Sequence, residues 1–146
     1  MMLDIRELYF MNKDKIKNSS DMFLYKAIVD LNSGKYLLKA FNNDEIEIDI
    51  EKIYFELQQS AEKLLKSLLS NSAIDFPKSH DLEQIIGLCE DNNIMLVENI
   101  GYLVELNDYA VEGRYSIIHD DINEADRYIE VLEKLIIIIE SKKNEI

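Results

Sequence analysis

The sequence predicts an all-α fold, an up-and-down antiparallel helical bundle of four main helices and one short helix. Only four glycines and one proline occur among 146 residues, whereas the many turns of an all-β domain favour those residues. Long stretches are rich in Leu, Ile, Glu and Lys, which suit helices. Apolar residues make up 47% of the chain, enough for the core of one domain of this length.

The N-terminal part divides into an extension and the start of the bundle. Residues 1–18 show no clean period, so we expect an N-terminal extension there and a helical domain over residues 19–146. Apolar residues then recur at helical spacing over residues 20–41. Ser20 or Asp21 is the expected N-cap of this first helix, because either side chain can accept a hydrogen bond from a free backbone N–H.

The second helix has the strongest pattern and is predicted over residues 49–71. Its apolar positions repeat at intervals of three and four residues, and Glu62 with Lys66 forms a favourable i,i+4 pair. The alternating "EIEIDI" just before it is too short for a strand of its own. We therefore expect that stretch to lead into the helix.

Two further helices are predicted before the last one. A short helix over residues 79–93 can be capped by Ser79 or Asp81. A fourth helix is expected over residues 94–112, and Gly113 directly follows it. Glycine is common at that position because it adopts the left-handed conformation that ends many helices.

The last helix is predicted over residues 121–143. Asp121 begins the stretch "DINE", which resembles a capping box. The helix is apolar on more than one face: Val131, Leu132, Leu135, Ile136, Ile137, Ile138 and Ile139. Either this last helix packs at the centre of the core, or its second apolar face binds another copy of the chain or a partner.

Charge and cysteine content limit the classes of function. The net charge is −13, so general attraction to nucleic acid is not expected, and an RNA substrate would need a local basic patch. Cys89 is the only cysteine, so no internal disulfide forms. No signal peptide, membrane-length apolar run, metal-ligand spacing or cofactor motif is evident. We expect a cytoplasmic protein without a bound cofactor or a membrane anchor.

The stretch "RYSIIH" places Arg114 five positions before His119, with four residues between them, in the connection between Gly113 and Asp121. On a continuous helix these two side chains would point about 140° apart, but a bend can bring them together. Histidine can transfer protons near neutral pH, and the guanidinium fork of arginine suits phosphate oxygens. The pair would suit metal-independent phosphodiester cleavage. The alternative is a polar loop in which neither residue has a chemical role.

Several polar residues on or near the second helix allow two interpretations. Gln59 and Lys63 either line a cleft that meets phosphates or belong to a solvated helix face. For Lys66 the solvated face is the favoured interpretation. His80 is expected to pack or cap locally at the start of the third helix.

The aromatic residues and the cysteine also have structural alternatives. Three tyrosines could stack on a base, or lie partly buried with the hydroxyl at the edge of the core: Tyr102, Tyr109 and Tyr115. Cys89 is expected to be a buried small hydrophobic residue.

Three segments in order resemble the HEPN domain family. They are "YFELQQSAEKLLKSLL" (54–69), "FPKSHDLEQII" (76–86) and "LNDYAVEGRYS" (106–116). The resemblance spans about residues 20–143, and the Gln-Gln…Ala-Glu-Lys helix is its most specific part.

The resemblance implies a helical bundle that is usually a homodimer. Many HEPN proteins are metal-independent ribonucleases of toxin–antitoxin or defence systems, with an Arg-x4–6-His motif that Arg114 and His119 match. Two such motifs face each other across the dimer. On this basis Gln59, Lys63 and Tyr115 are the candidate contacts for RNA or a nucleotide. A nucleotidyltransferase-type antitoxin is the expected partner.

Two positions depart from the pattern of the active members. Tyr115 follows the arginine where a small polar residue is typical. Asp121 lies two positions after the histidine, where one toxin branch has a tyrosine that its antitoxin modifies. The alternative function is therefore a non-catalytic module that binds a nucleotide or docks a minimal nucleotidyltransferase.

Overall fold

The computed structural model describes residues 8–110 and 121–144, and the regular structure in these ranges is helical. The main elements are α1 (Ser19–Asn42), α2 (Ile50–Asn71), α3 (Leu82–Asp91), a 3-10 helix (Ile100–Tyr109) and α4 (Ala125–Lys143). One short 3-10 turn (Lys13–Lys15) precedes them. No strand occurs in the described ranges, and the predicted all-α helical bundle is confirmed.

Small residues hold α1 and α2 together as an antiparallel pair. Ser20 Oγ donates to the carbonyl oxygen of Ser67 at 2.8 Å, and Ser60 Oγ donates to that of Ala27 at 2.9 Å. Increasing residue numbers along α1 are therefore paired with decreasing residue numbers along α2. Each hydroxyl is buried and satisfied, so the helices approach closely without an unpaired polar group.

Gly34 permits the closest part of this α1–α2 contact. A Cβ atom at this position would lie 3.0 Å from Leu57 Cδ2, which is inside normal van der Waals contact. Gly34 thus has a packing role within the helix. It lets the Leu57 side chain rest against the α1 backbone.

Ion pairs join α4 to α1, again in an antiparallel arrangement. Lys143 Nζ donates to Ser20 Oγ at 2.6 Å and to Asp21 Oδ1 at 2.8 Å. Toward the other end, Lys35 Nζ bonds Glu133 Oε2 at 2.9 Å although the Lys35 side chain is only 1% exposed. The end of α4 is thereby fixed to the start of α1.

The helix caps agree with the sequence in part. Asp81 caps α3 by accepting from the N–H of Glu83, which was one of the two predicted choices. For α1, the prediction of Ser20 or Asp21 is wrong, because Asn18 Oδ1 accepts from the N–H of Asp21. Ser20 and Asp21 instead bind other helices.

The predicted helix over 94–112 is wrong in type and in start. Residues 94–99 are not helical, Asn99 has a left-handed backbone (φ 66°), and a 3-10 helix follows over Ile100–Tyr109. The buried residues of this element repeat every three positions: Leu103, Leu106 and Tyr109. A 3-10 helix has three residues per turn, so this spacing places them on one face. The predicted C-terminal end near Gly113 lies outside the described residues.

The start of the last helix also differs from the prediction. Asp121 does not cap α4, since its Oδ1 accepts from the N–H of Asn123 at 2.7 Å in a turn. The helix begins at Ala125, and Glu124 makes no side-chain cap there. The end at Lys143 agrees with the prediction.

Most of the apolar surface of α4 is buried within the chain itself. Of the seven residues that suggested a second apolar face, five are buried: Val131, Leu132, Leu135, Ile136 and Ile139. Ile137 is 59% exposed, and Ile138 is half-buried. The interpretation of α4 as a core helix accounts for these five, and homodimerisation stays a prediction.

The described part of the N-terminal extension packs on α1. The backbone N–H of Tyr9 donates to Asn32 Oδ1 at 3.0 Å, and Asn32 Nδ2 donates back to the Tyr9 carbonyl at 2.6 Å. Within residues 8–110 and 121–144, none of the helices combines the length and apolar character needed to cross a membrane.

Truncation of Leu57 tests the α1–α2 contact. Leu57 is fully buried, so Leu57→Ala should lower the free energy of unfolding by about 2–5 kcal/mol through lost burial and a cavity. Ile137→Ala, which removes an exposed apolar side chain, should change it by less than about 0.5 kcal/mol. Urea unfolding followed by circular dichroism measures both. Equal losses would contradict the described packing.

The Cys89 thiol should react slowly in the folded protein. It is fully buried on α3, and burial raises its pKa from 9.0 to about 11. The thiolate is the reactive form, so alkylation by iodoacetamide at pH 8 should be at least ~100-fold slower than in urea. Because the folded pKa is raised, the thiol contributes stability below pH 9 that is lost as the pH rises toward 11. Equal alkylation rates with and without urea would contradict this placement.

Candidate functional site

The predicted catalytic pair lies on a segment outside the described residues. Arg114, Tyr115 and His119 belong to residues 111–120, of which only the flanking positions are described. The described residues on either side of this segment are the end of the 3-10 helix and the turn before α4.

Tyr54 of α2 contacts both flanks of this segment. Its ring centroid lies 4.9 Å from that of Tyr109, two positions before the segment. Its hydroxyl donates to the carbonyl oxygen of Asp121, directly after the segment, at 2.6 Å. Tyr54 is only 1% exposed. Tyr109 and Asp121 therefore meet at one buried side chain.

A third tyrosine completes the cluster. The Tyr128 ring of α4 packs edge-on against Tyr54, with centroids 5.8 Å apart. Its hydroxyl donates to Glu105 Oε1 at 2.7 Å. The cluster thus joins α2, α4 and the 3-10 helix beside the two flanks.

A cleft of about 430 Å³ opens on the cluster. It is lined by Tyr54, Glu105, Asp108, Tyr109, Glu124, Arg127 and Tyr128. The Arg127 guanidinium donates a hydrogen bond to Glu105 at 2.7 Å and forms an ion pair with Glu124 at 3.1 Å. It lies 4.0 Å from the Tyr102 ring centroid. Desolvation disfavours the charged guanidinium and lowers the pKa of Arg127. The carboxylates of Glu105 and Glu124 have the larger, opposite effect, so the pKa of Arg127 is raised.

The tyrosine hydroxyls of the cluster stay protonated near neutral pH. Burial raises the pKa of Tyr54 and Tyr128 well above the ordinary 10, and it raises that of Tyr109 to about 12. The Tyr109 hydroxyl oxygen is buried without a hydrogen-bond partner among the described residues. The cleft therefore offers neutral tyrosine hydroxyls, carboxylates and the charged Arg127 guanidinium, and any proton transfer at neutral pH would fall to groups with a lower pKa than these tyrosines.

The predicted contacts Gln59 and Lys63 lie away from this cleft within one chain. Lys63 is nine positions after Tyr54, which places it on the opposite side of α2. It forms an ion pair with Asp30 of α1. Burial raises the pKa of Asp30 by more than the neighbouring Lys63 lowers it. Gln59 Nε2 donates to Gln58 Oε1 at 2.6 Å.

Sequence reasoning missed a buried polar row on α2. Gln58, Glu62 and Lys66 follow Tyr54 at intervals of four residues, so they lie along one side of the helix. Glu62 Oε2 accepts from Lys66 at 3.0 Å, and Gln58 is fully buried. The spacing of four was visible in the sequence, and only the burial was not.

Two interpretations of single residues need correction. Lys66 is not on a solvated face, because its side chain is 11% exposed and paired with Glu62. His80 neither caps nor packs locally. Its Nδ1 lies 2.8 Å from Glu62 Oε1 on α2, and its side chain is 67% exposed.

The fold and the cleft define a helical-bundle domain with a tyrosine cluster that joins α2, α4 and the 3-10 helix. The family model for the HEPN domain matches residues 20–142. The chain therefore belongs to the HEPN domain family, as the resemblance of its three segments implied. No curated protein and no solved structure matches it.

Removal of the Glu62 carboxylate tests the buried row. Glu62→Ala leaves the Lys66 ammonium buried without its partner, which should cost about 3–5 kcal/mol of unfolding free energy. Adding Lys66→Met in the same chain should recover a large part of that loss, since no charge is then buried. Urea unfolding of the two variants gives the comparison. If Lys66→Met deepened the loss, the unpaired charge would not be its cause.

Proposed function

We propose that this HEPN protein is a metal-independent endoribonuclease in which Arg114 and His119 act on one phosphodiester bond. The observation that supports it is the convergence of both flanks of residues 111–120 on Tyr54. In this proposal, flanks that are held together would bring Arg114 and His119 near each other. On a continuous helix the same two side chains would diverge.

The proposed reaction is an internal phosphoryl transfer. The ribose 2′-oxygen attacks phosphorus, the bond to the leaving 5′-oxygen breaks, and the products are a 2′,3′-cyclic phosphate and a free 5′-hydroxyl. His119 takes the 2′-hydroxyl proton or supplies the proton to the leaving oxygen. Arg114 stabilises the extra negative charge at phosphorus.

A homodimer would bring a second set of residues to the substrate. Because Gln59 and Lys63 face away from the cleft of their own chain, they would contact RNA bound to the partner copy. Lys63 would then exchange its contact with Asp30 for a phosphate oxygen. Tyr115 would contact the base or the sugar. HEPN domains often dimerise, and the exposed Ile137 side chain offers one apolar contact.

The acidic surroundings of the cleft favour a second candidate function. Glu105, Asp108 and Glu124 line it, and the chain carries a net charge of −13, which opposes the approach of a phosphate backbone. A non-catalytic module would use this surface to dock a nucleotidyltransferase-type antitoxin or another partner with a basic face. Both functions suit a cytoplasmic protein of a toxin–antitoxin or defence system.

Cleavage of total RNA in excess EDTA distinguishes the two functions. The unsubstituted protein should cleave RNA, and His119→Ala should reduce the rate by about 10²–10⁴-fold, the usual contribution of a general acid or base. Arg114→Lys should also lose activity, because lysine keeps the charge but not the planar fork. Gel analysis and a 2′,3′-cyclic phosphate assay measure the products.

His80→Ala is the matched control, because His80 is the only other histidine and its Nδ1 contacts Glu62 of α2 and not the cleft. It should retain nearly full cleavage if the fold is intact. Cleavage that survives both Arg114→Lys and His119→Ala would remove the pair from the mechanism. A protein that cleaves no RNA but binds a purified nucleotidyltransferase would establish the docking function.

A further inference from the structure

We propose that the N-terminal extension and the start of α1 form a binding surface for single-stranded RNA, in which lysines bind phosphates and Phe10 stacks on a base. The choice of RNA rests on the proposed ribonuclease function. The surface lies at the other end of the bundle from the tyrosine cluster, because Ser20 of α1 bonds Ser67, about 20 Å along α2 from Tyr54. A chain with a net charge of −13 needs such a local basic patch to bind RNA.

The extension runs antiparallel to α1 and is held against it at several points. Besides the hydrogen bonds of Tyr9 with α1, the Lys13 ammonium group lies 5.8 Å from the centroid of the Tyr25 ring. The backbone N–H of Lys17 donates to Asp21 Oδ2 at 2.9 Å. These contacts fix the backbone that carries the lysines of the extension along the first turns of α1.

The lysines of this surface are exposed and are not used in ion pairs. Four of them share these properties among the described residues: Lys13, Lys15, Lys17 and Lys26. By contrast, the buried lysines of α1 and α2 are paired with glutamates. The extension places one carboxylate, that of Asp14, among its three lysines. Four ammonium groups are therefore available to an anionic partner.

A cleft of about 290 Å³ lies within this surface and is lined by Phe10, Lys15 and Lys143 among others. Phe10 is 87% exposed, and an exposed aromatic ring beside ammonium groups is the combination that binds single-stranded nucleic acid. Two carboxylates also line the cleft, those of Asp21 and Glu140. Asp21 is neutralised by its ion pair with Lys143 at 2.8 Å.

The composition of the cleft favours a nucleic-acid strand over an anionic membrane. Binding to a membrane surface needs a broad apolar face beside the basic residues, whereas Phe10 is a single exposed ring at a cleft that also contains carboxylates. A flexible strand can place one base on this ring and its phosphates on the lysines nearby.

Binding of a fluorescent single-stranded 2′-O-methyl oligoribonucleotide tests the surface without cleavage, because the methyl group blocks the 2′-oxygen. The triple variant Lys13→Gln, Lys15→Gln, Lys17→Gln should raise the Kd by about 10-fold or more. The slope of log Kd against log salt concentration should fall by about 2, since each phosphate contact contributes about 0.7. Phe10→Ala should raise the Kd by about 5-fold or more through lost stacking, with the salt slope unchanged. Fluorescence anisotropy measures all of these values.

The triple variant Lys39→Gln, Lys78→Gln, Lys134→Gln is the matched control, because it changes the net charge equally on other parts of the surface. It should change the Kd by less than about 3-fold, since long-range charge alone is screened at 0.15 M salt. Equal losses in the two triple variants would show that only the net charge matters and would overturn the proposed surface.

The outcomes for this surface and for the ribonuclease function are distinguishable. No binding of the oligoribonucleotide, or binding only to vesicles of phosphatidylglycerol, would overturn the surface. If unmodified RNA is cleaved, the lysine variant of the extension should raise KM and leave kcat nearly unchanged, because these residues do not touch the reacting bond. If the oligoribonucleotide binds through these lysines but RNA is not cleaved, the ribonuclease proposal fails and the binding surface stands.

Discussion

The burial of α2 against α1, α3, α4 and the 3-10 helix is the constraint on which the rest of the structure depends. A helix covered on so many sides cannot turn its polar residues to water. Gln58, Ser60 and Glu62 are buried, and each bonds a neighbouring element or a residue of α2 itself. Each unpaired polar group at such depth would cost about 1–3 kcal/mol. The position of α2 therefore constrains His80 before α3 and Asp121 before α4, whose carbonyl oxygens accept hydrogen bonds from α2 side chains.

Apolar periodicity was sufficient to predict the helices that bury one continuous face. It predicted α2 almost residue for residue, and it predicted the end of α4. It failed between Ile94 and Tyr109, where every third residue is apolar or aromatic. A spacing of three is shared by α-helices and 3-10 helices over a few residues, and only its unbroken continuation favours the 3-10 form. The left-handed backbone at Asn99 had no clear signal in the sequence.

The candidate site was predictable only where its residues are close in sequence. The spacing of Arg114 and His119 is a local pattern, and the family resemblance adds to it. Tyr54 and Asp121 are 67 positions apart, so no local pattern could connect them. Lys66 was wrongly predicted to lie on a solvated face, because the residue that contacts it is also distant in the local pattern. The Lys66 ammonium group lies 5.9 Å from the ring centroid of Phe76, in the connection after α2. Periodicity within a helix gives no information about which of its residues a later loop will cover.

Because Lys143 contacts Ser20 and Asp21, the helices could be connected in a different order along the chain and still pack in the same arrangement. The start of α1 and the end of α4 are neighbours, so a short linker could join them without moving either helix. A new start could then be placed in the exposed connection between α1 and α2. The contacts among the helices would be kept, whereas the bonds between Tyr9 of the extension and Asn32 would be lost. In such a circular permutant, residues 111–120 would lie nearer the middle of the chain, after α2 and before α4.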